Sequence, residues 1–410
     1  MSANFIKSDS HAVIIGAGQA GFTVAAKLRE LKFDGAITLI GNEAFAPYQR
    51  PPLSKGYLLG ELDEQRLYFR PLPYYAEKDI TLRVSTCVQT IYPEKKSIVL
   101  ADGNTVAYDH LVLATGARPR LLPDTMGGNL QGVYSVRNLA DINRIKPEFQ
   151  RDKRVLIIGG GYIGLEAAAV SAKLGLNVTL IEAAERILQR VASAQTADYF
   201  RNLHLSHGVD LRENISLKTL IGQSGHVNTA LLTDGTKLPV DFVIIGIGIS
   251  PNSELAAAAG LAVDNGICVN ERCQTTDPFI YAAGDCSSFL WQGRRIRLES
   301  VGNAQEQAAV VAKAIMGEPI IYEAKPWFWS DQFDVKLQIA GLCTGYDAIV
   351  VRKEENSSLS HWYYRDKTLL AVDAINAPRV YMAAKRLIEA GKSPAAEMVA
   401  DATVDLRSLL

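Results

Sequence analysis

Short, wholly apolar runs punctuate this chain, separated by longer stretches of helical pattern. Ala12-Val13-Ile14-Ile15 is an uninterrupted apolar run, the pattern of a strand buried on both faces. A segment rich in Ala and Leu from Phe22 to Leu31 follows, and Ala36-Ile37-Thr38-Leu39-Ile40 is a second strand-like run. Strand, helix and strand in that order form a βαβ unit. The arrangement recurs as Arg154-Val155-Leu156-Ile157-Ile158, a helix from Leu165 to about Leu174, and Val178-Thr179-Leu180-Ile181. Residues 80–114 read as a strand meander, with runs at Thr81 to Val84, Ser97 to Leu100 and Leu111 to Ala114, and Asp102-Gly103 marks a turn between two of them. Asp241-Phe242-Val243-Ile244-Ile245-Gly246 is a further buried-strand run with no third unit after it, so the chain is expected to return and complete an earlier sheet.

The joints of the two units carry their chemistry. Gly16-Ala17-Gly18-Gln19-Ala20-Gly21 joins the first strand to its helix, and Gly159-Gly160-Gly161-Tyr162-Ile163-Gly164 joins the second. A G-x-G-x-x-G between strand and helix is a dinucleotide fingerprint. Its first glycine makes the tight turn, and its second lets the backbone approach a pyrophosphate. The third lets the helix pack on the strand with its N–H groups facing the phosphates. The fingerprints start 143 positions apart, too far for solenoid repeats, so they imply two domains of similar fold, one per dinucleotide. Glu182 ends the second strand of the second unit, 18 residues after Gly164. A carboxylate there accepts from ribose hydroxyls and repels a 2′-phosphate, which predicts NADH over NADPH; Arg186 and Arg190 nearby argue the other way. In the first unit either Asn42 or Glu43 is placed to serve the ribose.

Composition narrows the picture. A net charge of −1 supplies no bulk field toward nucleic acid or an anionic membrane. The five cysteines, Cys87, Cys268, Cys273, Cys286 and Cys343, include no C-x-x-C pair and suggest reduced, buried thiols. Met1 to Lys7 carries no charged start followed by an apolar run, and no apolar stretch reaches the ~18 residues of a membrane span. A cytoplasmic enzyme, with no nucleic-acid or membrane partner, is the expectation.

Further segments carry a family resemblance. Leu111-Val112-Leu113-Ala114-Thr115-Gly116 and Ile280-Tyr281-Ala282-Ala283-Gly284-Asp285 resemble the flavin segments of two-dinucleotide-binding flavoproteins. Arg50-Pro51-Pro52-Leu53-Ser54-Lys55, Gly159 to Glu166, and Pro326-Trp327-Phe328-Trp329-Ser330-Asp331-Gln332 together resemble the NADH-dependent ferredoxin reductases of bacterial oxygenase systems. The resemblance implies an α/β fold with two Rossmann-like domains of the glutathione reductase type and a smaller α+β C-terminal domain. An FAD domain is expected over residues 1–115 and 243–325, an NADH domain over 116–242, and the C-terminal domain over 326–410.

It also implies site residues. For FAD these are Gly16, Gly18, Ala20, Gly21, Asn42 or Glu43, Arg50, Pro51, Lys55, Val88, Ala114, Thr115, Gly116, Gly284, Asp285 and Val301. For NADH they are Gly159, Gly161, Tyr162, Ile163, Gly164, Glu182, Arg190, Gly248 and Glu299, the last beside the flavin pyrimidine edge. Arg137 resembles a flavin contact and reads equally as a surface arginine. Asp285 is expected to accept from a ribityl hydroxyl, with capping of a following helix as the alternative. Lys55 is expected near flavin N5, paired across the domains with Glu166, whose own alternative is complementing the helix dipole. Trp329 is expected to shield the flavin at the exit face, and Trp327 to be core. A helix from about Asn303 to Met316 follows the Glu299-Ser300-Val301 segment.

The absence of a cysteine pair directs the outflow of electrons. Related disulfide reductases pass electron pairs to a redox disulfide; without one, electrons leave directly from the flavin, which fits single-electron transfer to a [2Fe-2S] ferredoxin. Arg294, Arg295 and Arg297, with Arg70, read as a basic docking surface for an acidic ferredoxin or as a solvated hairpin strand. The chain is expected as a monomer or weak dimer. An NADH oxidase or peroxidase is a second reading, but residues 41–51 lack the reactive cysteine of the peroxidase form. An interaction flavoprotein resembling apoptosis-inducing factor is a third, and lacks its targeting segment and basic surface.

Overall fold

The computed structural model describes residues 10–354 and 358–410; the Met1 to Lys7 stretch, read above as carrying no leader, lies outside the described residues. The chain forms two compact units. One comprises Met1–Gln49, Glu64–Arg118 and Ser250–Ala324, the other Arg50–Asp63, Pro119–Ile249 and Lys325–Leu410.

The first unit is built on a five-stranded parallel sheet in the order Ile280–Ala282, His110–Leu113, His11–Ile15, Ala36–Ile40, Ile80–Arg83. The strand order reverses beside His11–Ile15, which opens a crevice at its C-terminal end, where α/β sheets bind ligands. Because strand side chains alternate, Ile14 and Val112 face one side, where the helices Gln19–Glu30 and Val301–Ile315 bury Val24, Leu28, Ala308 and Val311. Val13, Ile15, Leu111 and Leu113 face the other, against Ile91, Ile98 and Leu100. Those last residues belong to a small antiparallel sheet of Val88–Tyr92, Ser97–Leu100 and Thr105–Ala107. The expected meander is thereby corrected. Its first and third runs join the parallel sheet, and only Ser97–Leu100 lies in the antiparallel one. Apolar runs declare burial, not partners.

The second unit holds a like sheet, Asp210–Arg212, Asn177–Ile181, Arg154–Ile158, Phe242–Ile245 and Val133–Ser135, all parallel. The run at 241–246 therefore pairs with the second fingerprint strand rather than with the first sheet, which Ile280–Ala282 completes instead. The return to the first unit begins after Ile249, not at 243. The C-terminal segment forms an antiparallel sheet ordered Trp327–Gln332, Val335–Gly341, Thr368–Ile375, Leu359–Arg365, Ala348–Lys353, covered by the helix Pro378–Glu389. Arg352, buried in this sheet, donates to the carbonyl oxygens of Val399, Asp401, Ala402 and Val404 and so holds the chain's end.

Arg50–Asp63 also belongs to this second unit, apart from the residues that flank it in sequence. Its short helical turn Pro51–Ser54 packs against the helices Leu139–Ile145 and Tyr162–Lys173, and the Tyr57 hydroxyl donates to Asn143 at 2.7 Å. Among the described residues no helix is long and apolar enough to cross a membrane, and no His, Cys, Asp and Glu cluster is arranged to hold a metal ion.

Candidate active site

The two glycine loops are built alike. Gly16 and Gly159 have φ of 111° and 109°, and a Cβ there would lie 2.0 Å from the Ala114 carbonyl oxygen and 2.4 Å from that of Gly246. Gly21 and Gly164 let each helix back onto its own loop, since a Cβ would fall 1.9 and 2.0 Å from the carbonyl oxygens of Gly16 and Gly159. Gly18 and Gly161, between them, face open space: beyond the chain neighbours and the helix itself, no atom of the described residues lies within 4 Å of a Cβ at either. Each is the N-cap of a twelve-residue helix with no side-chain cap and no acid in its first turn. The N–H groups that begin both helices thus present positive ends to an open cradle.

In the first unit Gly284 packs over Ala20, its absent Cβ only 3.1 Å from that side chain, which brings the Gly284-Asp285 turn to the first loop. A strand, Ser287–Trp291, follows Asp285; capping a helix is therefore not its role, and the carboxylate sits half-buried in the turn. The Thr115 hydroxyl donates to the Asn252 carbonyl at 2.6 Å, and the Asn252 amide returns a bond to the Thr115 carbonyl, fixing the turn at Ala114 to Gly116. Of the two ribose candidates, Asn42 is exposed, whereas Glu43 is half-buried and accepts from the Tyr48 hydroxyl at 2.5 Å. Val88 opens its strand, buried; Val301 opens its helix, and Glu299 is exposed beside Arg297.

In the second unit Glu182 accepts from the N–H groups of Gly160 at 2.6 Å and Ala184 at 2.8 Å, so the acid anchors the glycine loop. Arg186 turns inward, toward the carbonyls of Ala192 at 2.9 Å and Ser193 at 3.2 Å. Arg190 is exposed and passes 3.8 Å from the Cβ position of Gly248. Ile163 is exposed in the first helical turn. Arg50 donates to the Arg137 carbonyl at 3.1 Å, and Pro51 opens the short turn that ends at Lys55.

That turn delivers Lys55 to a buried carboxylate. Lys55 Nζ lies 3.1 Å from Glu166 Oε1, 3.9 Å from Asp331 Oδ2 and 5.6 Å from the centre of the Trp329 ring. Trp329 is stacked on Trp327, rings 5.6 Å apart and 20° from parallel. Ser330 donates to Glu166 Oε1 at 2.8 Å and Ser54 to Oε2 at 3.1 Å. Burial pushes the Glu166 carboxyl up from its ordinary value, while Lys55 and the two serines hold it back. Glu166 and Tyr162 lie one helical turn apart and meet Ser330 and Phe328, two apart on the facing strand; the Tyr162 and Phe328 rings are 4.9 Å apart. Four helical residues and two strand residues span nearly equal lengths, about 6 and 6.6 Å. Lys55, Glu166 and Trp329, far apart in sequence, thus converge.

Residues 10–308 match the family model for pyridine nucleotide-disulphide oxidoreductases, and residues 327–410 match the reductase C-terminal model. The chain belongs to the pyridine nucleotide-disulphide oxidoreductases, among their ferredoxin reductases. It is 43% identical to a ferredoxin–NAD(P)+ reductase of a Sphingomonas species, over 93% of this chain and 94% of that one. It is 42% identical to rhodocoxin reductase of Rhodococcus erythropolis, covering 96% and 93%. Among solved structures, the covalent putidaredoxin reductase–putidaredoxin complex superposes with a TM-score of 0.95 at 40% identity, covering 98% of each chain.

This reductase family uses FAD and NAD(H), and the two open, uncapped loops fit a pair of pyrophosphates. Gln307 adds a second sign of fit in the first unit. Its Oε1 accepts from the Gly284 N–H and the Ser287 hydroxyl, each at 2.8 Å, while its buried Nε2 has no protein partner among the described residues. Sequence reasoning passed over Gln307, Tyr48, Ser54 and Ser330. Gln307 had one signal, its place one turn beyond Asn303 on a helix opened by a flavin segment. The expected basic surface of the reductase is reduced by one residue. Arg297 lies just past the strand Arg294–Ile296, is only 10% exposed, pairs with Glu299 and donates to the Asp285 carbonyl at 3.3 Å. Arg295 donates to the Ser288 carbonyl; Arg294 and Arg70 are exposed.

Proposed function

We propose that this chain draws electron pairs from NADH through FAD and delivers them singly to a [2Fe-2S] ferredoxin serving an oxygenase. When bound, FAD supplies the conversion between two-electron and one-electron chemistry. The protein supplies alignment and charge.

The observation that carries the reading is the meeting of Lys55, Glu166 and Trp329 in a chain whose five cysteines are all unpaired. Without a disulfide to take electrons onward, the acceptor must meet the flavin side directly. In this reading Lys55 offsets negative charge on the reduced ring and Glu166 fixes Lys55. Trp329 covers the ring on the exit side. Glu43, steadied by Tyr48, holds the FAD ribose; Glu182 holds the NADH ribose, and Arg186 is turned away from it. The first unit would carry FAD, and the inserted sheet of the second NADH. Arg70 and Arg294 would steer an acidic ferredoxin. The unpaired thiols support work in the reducing cytoplasm.

The test is to mix the protein with NADH and a panel of [2Fe-2S] ferredoxins and to follow cytochrome c reduction. At least one ferredoxin should raise the rate well above that of the flavoprotein alone; a panel without effect removes the acceptor assignment.

A further inference from the structure

Behind Glu166 a line of buried polar side chains leads away from Lys55. Ser330 Oγ lies 2.8 Å from Glu166 Oε1, Gln332 Nε2 lies 3.2 Å from Ser330 Oγ, and His204 Nε2 lies 2.9 Å from Gln332 Oε1. Ser330, Gln332 and His204 are wholly buried. They come from the strand Trp327–Gln332 and the helix Ala194–Ser206, both in the second unit. The Phe333 and His204 rings meet edge-on, centroids 5.1 Å apart.

The proton positions in this line follow from one charge. An ionised Glu166 has only lone pairs to offer, so Ser330 must spend its single proton on Oε1. The Ser330 oxygen must then accept, which turns the NH2 end of Gln332 toward it and the carbonyl end toward His204. That carbonyl can only accept, so His204 must carry its proton on Nε2. A histidine that merely fills core would be indifferent to the charge at Glu166. Here the tautomer is dictated by it. Were Glu166 protonated on Oε1, every link would reverse. Glu166 would donate to Ser330, Ser330 to a flipped Gln332, and Gln332 to His204 Nε2, which would move the ring proton to Nδ1.

We infer that Ser330, Gln332 and His204 form a one-way chain of hydrogen-bond donors that orients Glu166 and keeps it charged beside Lys55. They are positioning residues, and their part in turnover rests on the proposed role of the Lys55–Glu166 pair. Burial pushes His204 down to about 4, so the ring is neutral in the working range and has one tautomer to choose. Few other charges bear on the chain. Lys55 faces Glu166 from the short turn, with Asp331 3.9 Å beyond it. Lys173, on the helix of Glu166, donates to the Phe333 carbonyl, and His207 is stacked on the Phe333 ring.

The direct test is nitrogen NMR of the FAD-bound protein labelled at histidine, at mildly alkaline pH. His204 should show the Nε2–H tautomer; an Nδ1–H tautomer overturns the chain whatever the enzyme's acceptor proves to be. Kinetics give an independent arm. Ser330→Ala removes the donor next to Glu166 and should move the acid limb of flavin reduction by NADH upward by about one pH unit. Ser330→Thr, which keeps the hydroxyl, should restore it. Gln332→Leu should move the limb in the same direction by less. An unmoved limb in Ser330→Ala overturns the inference. If Glu166→Ala still slows reduction, the pair's own role survives that failure.

Discussion

Lys55 and Glu166 are 111 positions apart in sequence and 3.1 Å apart in space, the carboxylate almost entirely buried. An ion pair this enclosed is costly unless its remaining valences are met, and here Ser54 and Ser330 meet them. Removing the acid should therefore misplace Lys55 rather than expel the cofactor. Glu166→Ala is expected to slow flavin reduction by NADH roughly tenfold to a hundredfold with FAD retained. Stopped-flow absorbance of the flavin checks this, and an unchanged rate would remove the pair from the mechanism.

The open space at Gly18 and Gly161 gives a paired prediction. Both have extended backbones that any residue adopts, and a Cβ at either would have open space around it beyond its own helix and chain neighbours. Gly18→Val should fold normally but lose FAD on gel filtration. Gly161→Val should keep FAD and raise the KM for NADH by about tenfold or more. Flavin absorbance and initial rates separate the two. Loss of FAD from Gly161→Val, or its retention in Gly18→Val, would reverse the assignment of the loops.

Glu182 and Arg186 set the nucleotide preference differently from a simple contest between acid and base. Glu182 secures the loop through Gly160, while Arg186 is already committed to backbone carbonyls. Glu182→Ala should lower kcat/KM with NADH by about tenfold to a hundredfold, yet NADH should still be preferred. A mutant that favours NADPH would mean that Arg186 is free to take a 2′-phosphate.

Asp373 predicts a pH effect on stability. Buried in the C-terminal sheet, it accepts from Thr196 at 2.7 Å and from the Tyr363 hydroxyl, and burial pushes its carboxyl from 3.8 up to about 6. Between those values the native state keeps a proton that the unfolded chain has lost. Stability therefore falls as pH rises through this window and stays lower above it. His361, pushed down to about 4 by burial, slopes the other way over nearly the same range, so the informative quantity is the difference between wild type and Asp373→Asn. The variant should gain on the order of 2 kcal/mol near neutral pH and nothing near pH 3. Urea unfolding across the range measures it; a uniform loss at every pH would contradict the assignment.

Both glycine fingerprints were legible because backbone geometry leaves no other residue at Gly16 or Gly159, and a strand and helix frame each. Glu166 was legible from its distance to the loop. Ser330 and Gln332 were not. In Trp327–Gln332 the aromatic alternation draws attention to Trp327 and Trp329, while nothing in the sequence marks Ser330 and Gln332, in phase with Phe328, as buried. Only the opposing helix turns that face inward. The pairing of the 241–246 run was hidden for a related reason: a strand buried on both faces carries no mark of which sheet it joins. Arg297 misled because it reads as one more solvated residue of a hairpin strand, whereas the strand ends at Ile296 and Arg297 turns to Glu299.

The central claim is that electrons enter in pairs from NADH and leave singly to a ferredoxin. Anaerobic stopped flow tests it most directly: the FAD-bound protein, reduced by one equivalent of NADH, is mixed with excess oxidised [2Fe-2S] ferredoxin. Two ferredoxins should be reduced for each NADH, with the flavin returning to its oxidised spectrum within the mixing experiment. Reduced flavin that persists in the presence of ferredoxin, but is discharged at once by oxygen or peroxide, would contradict it.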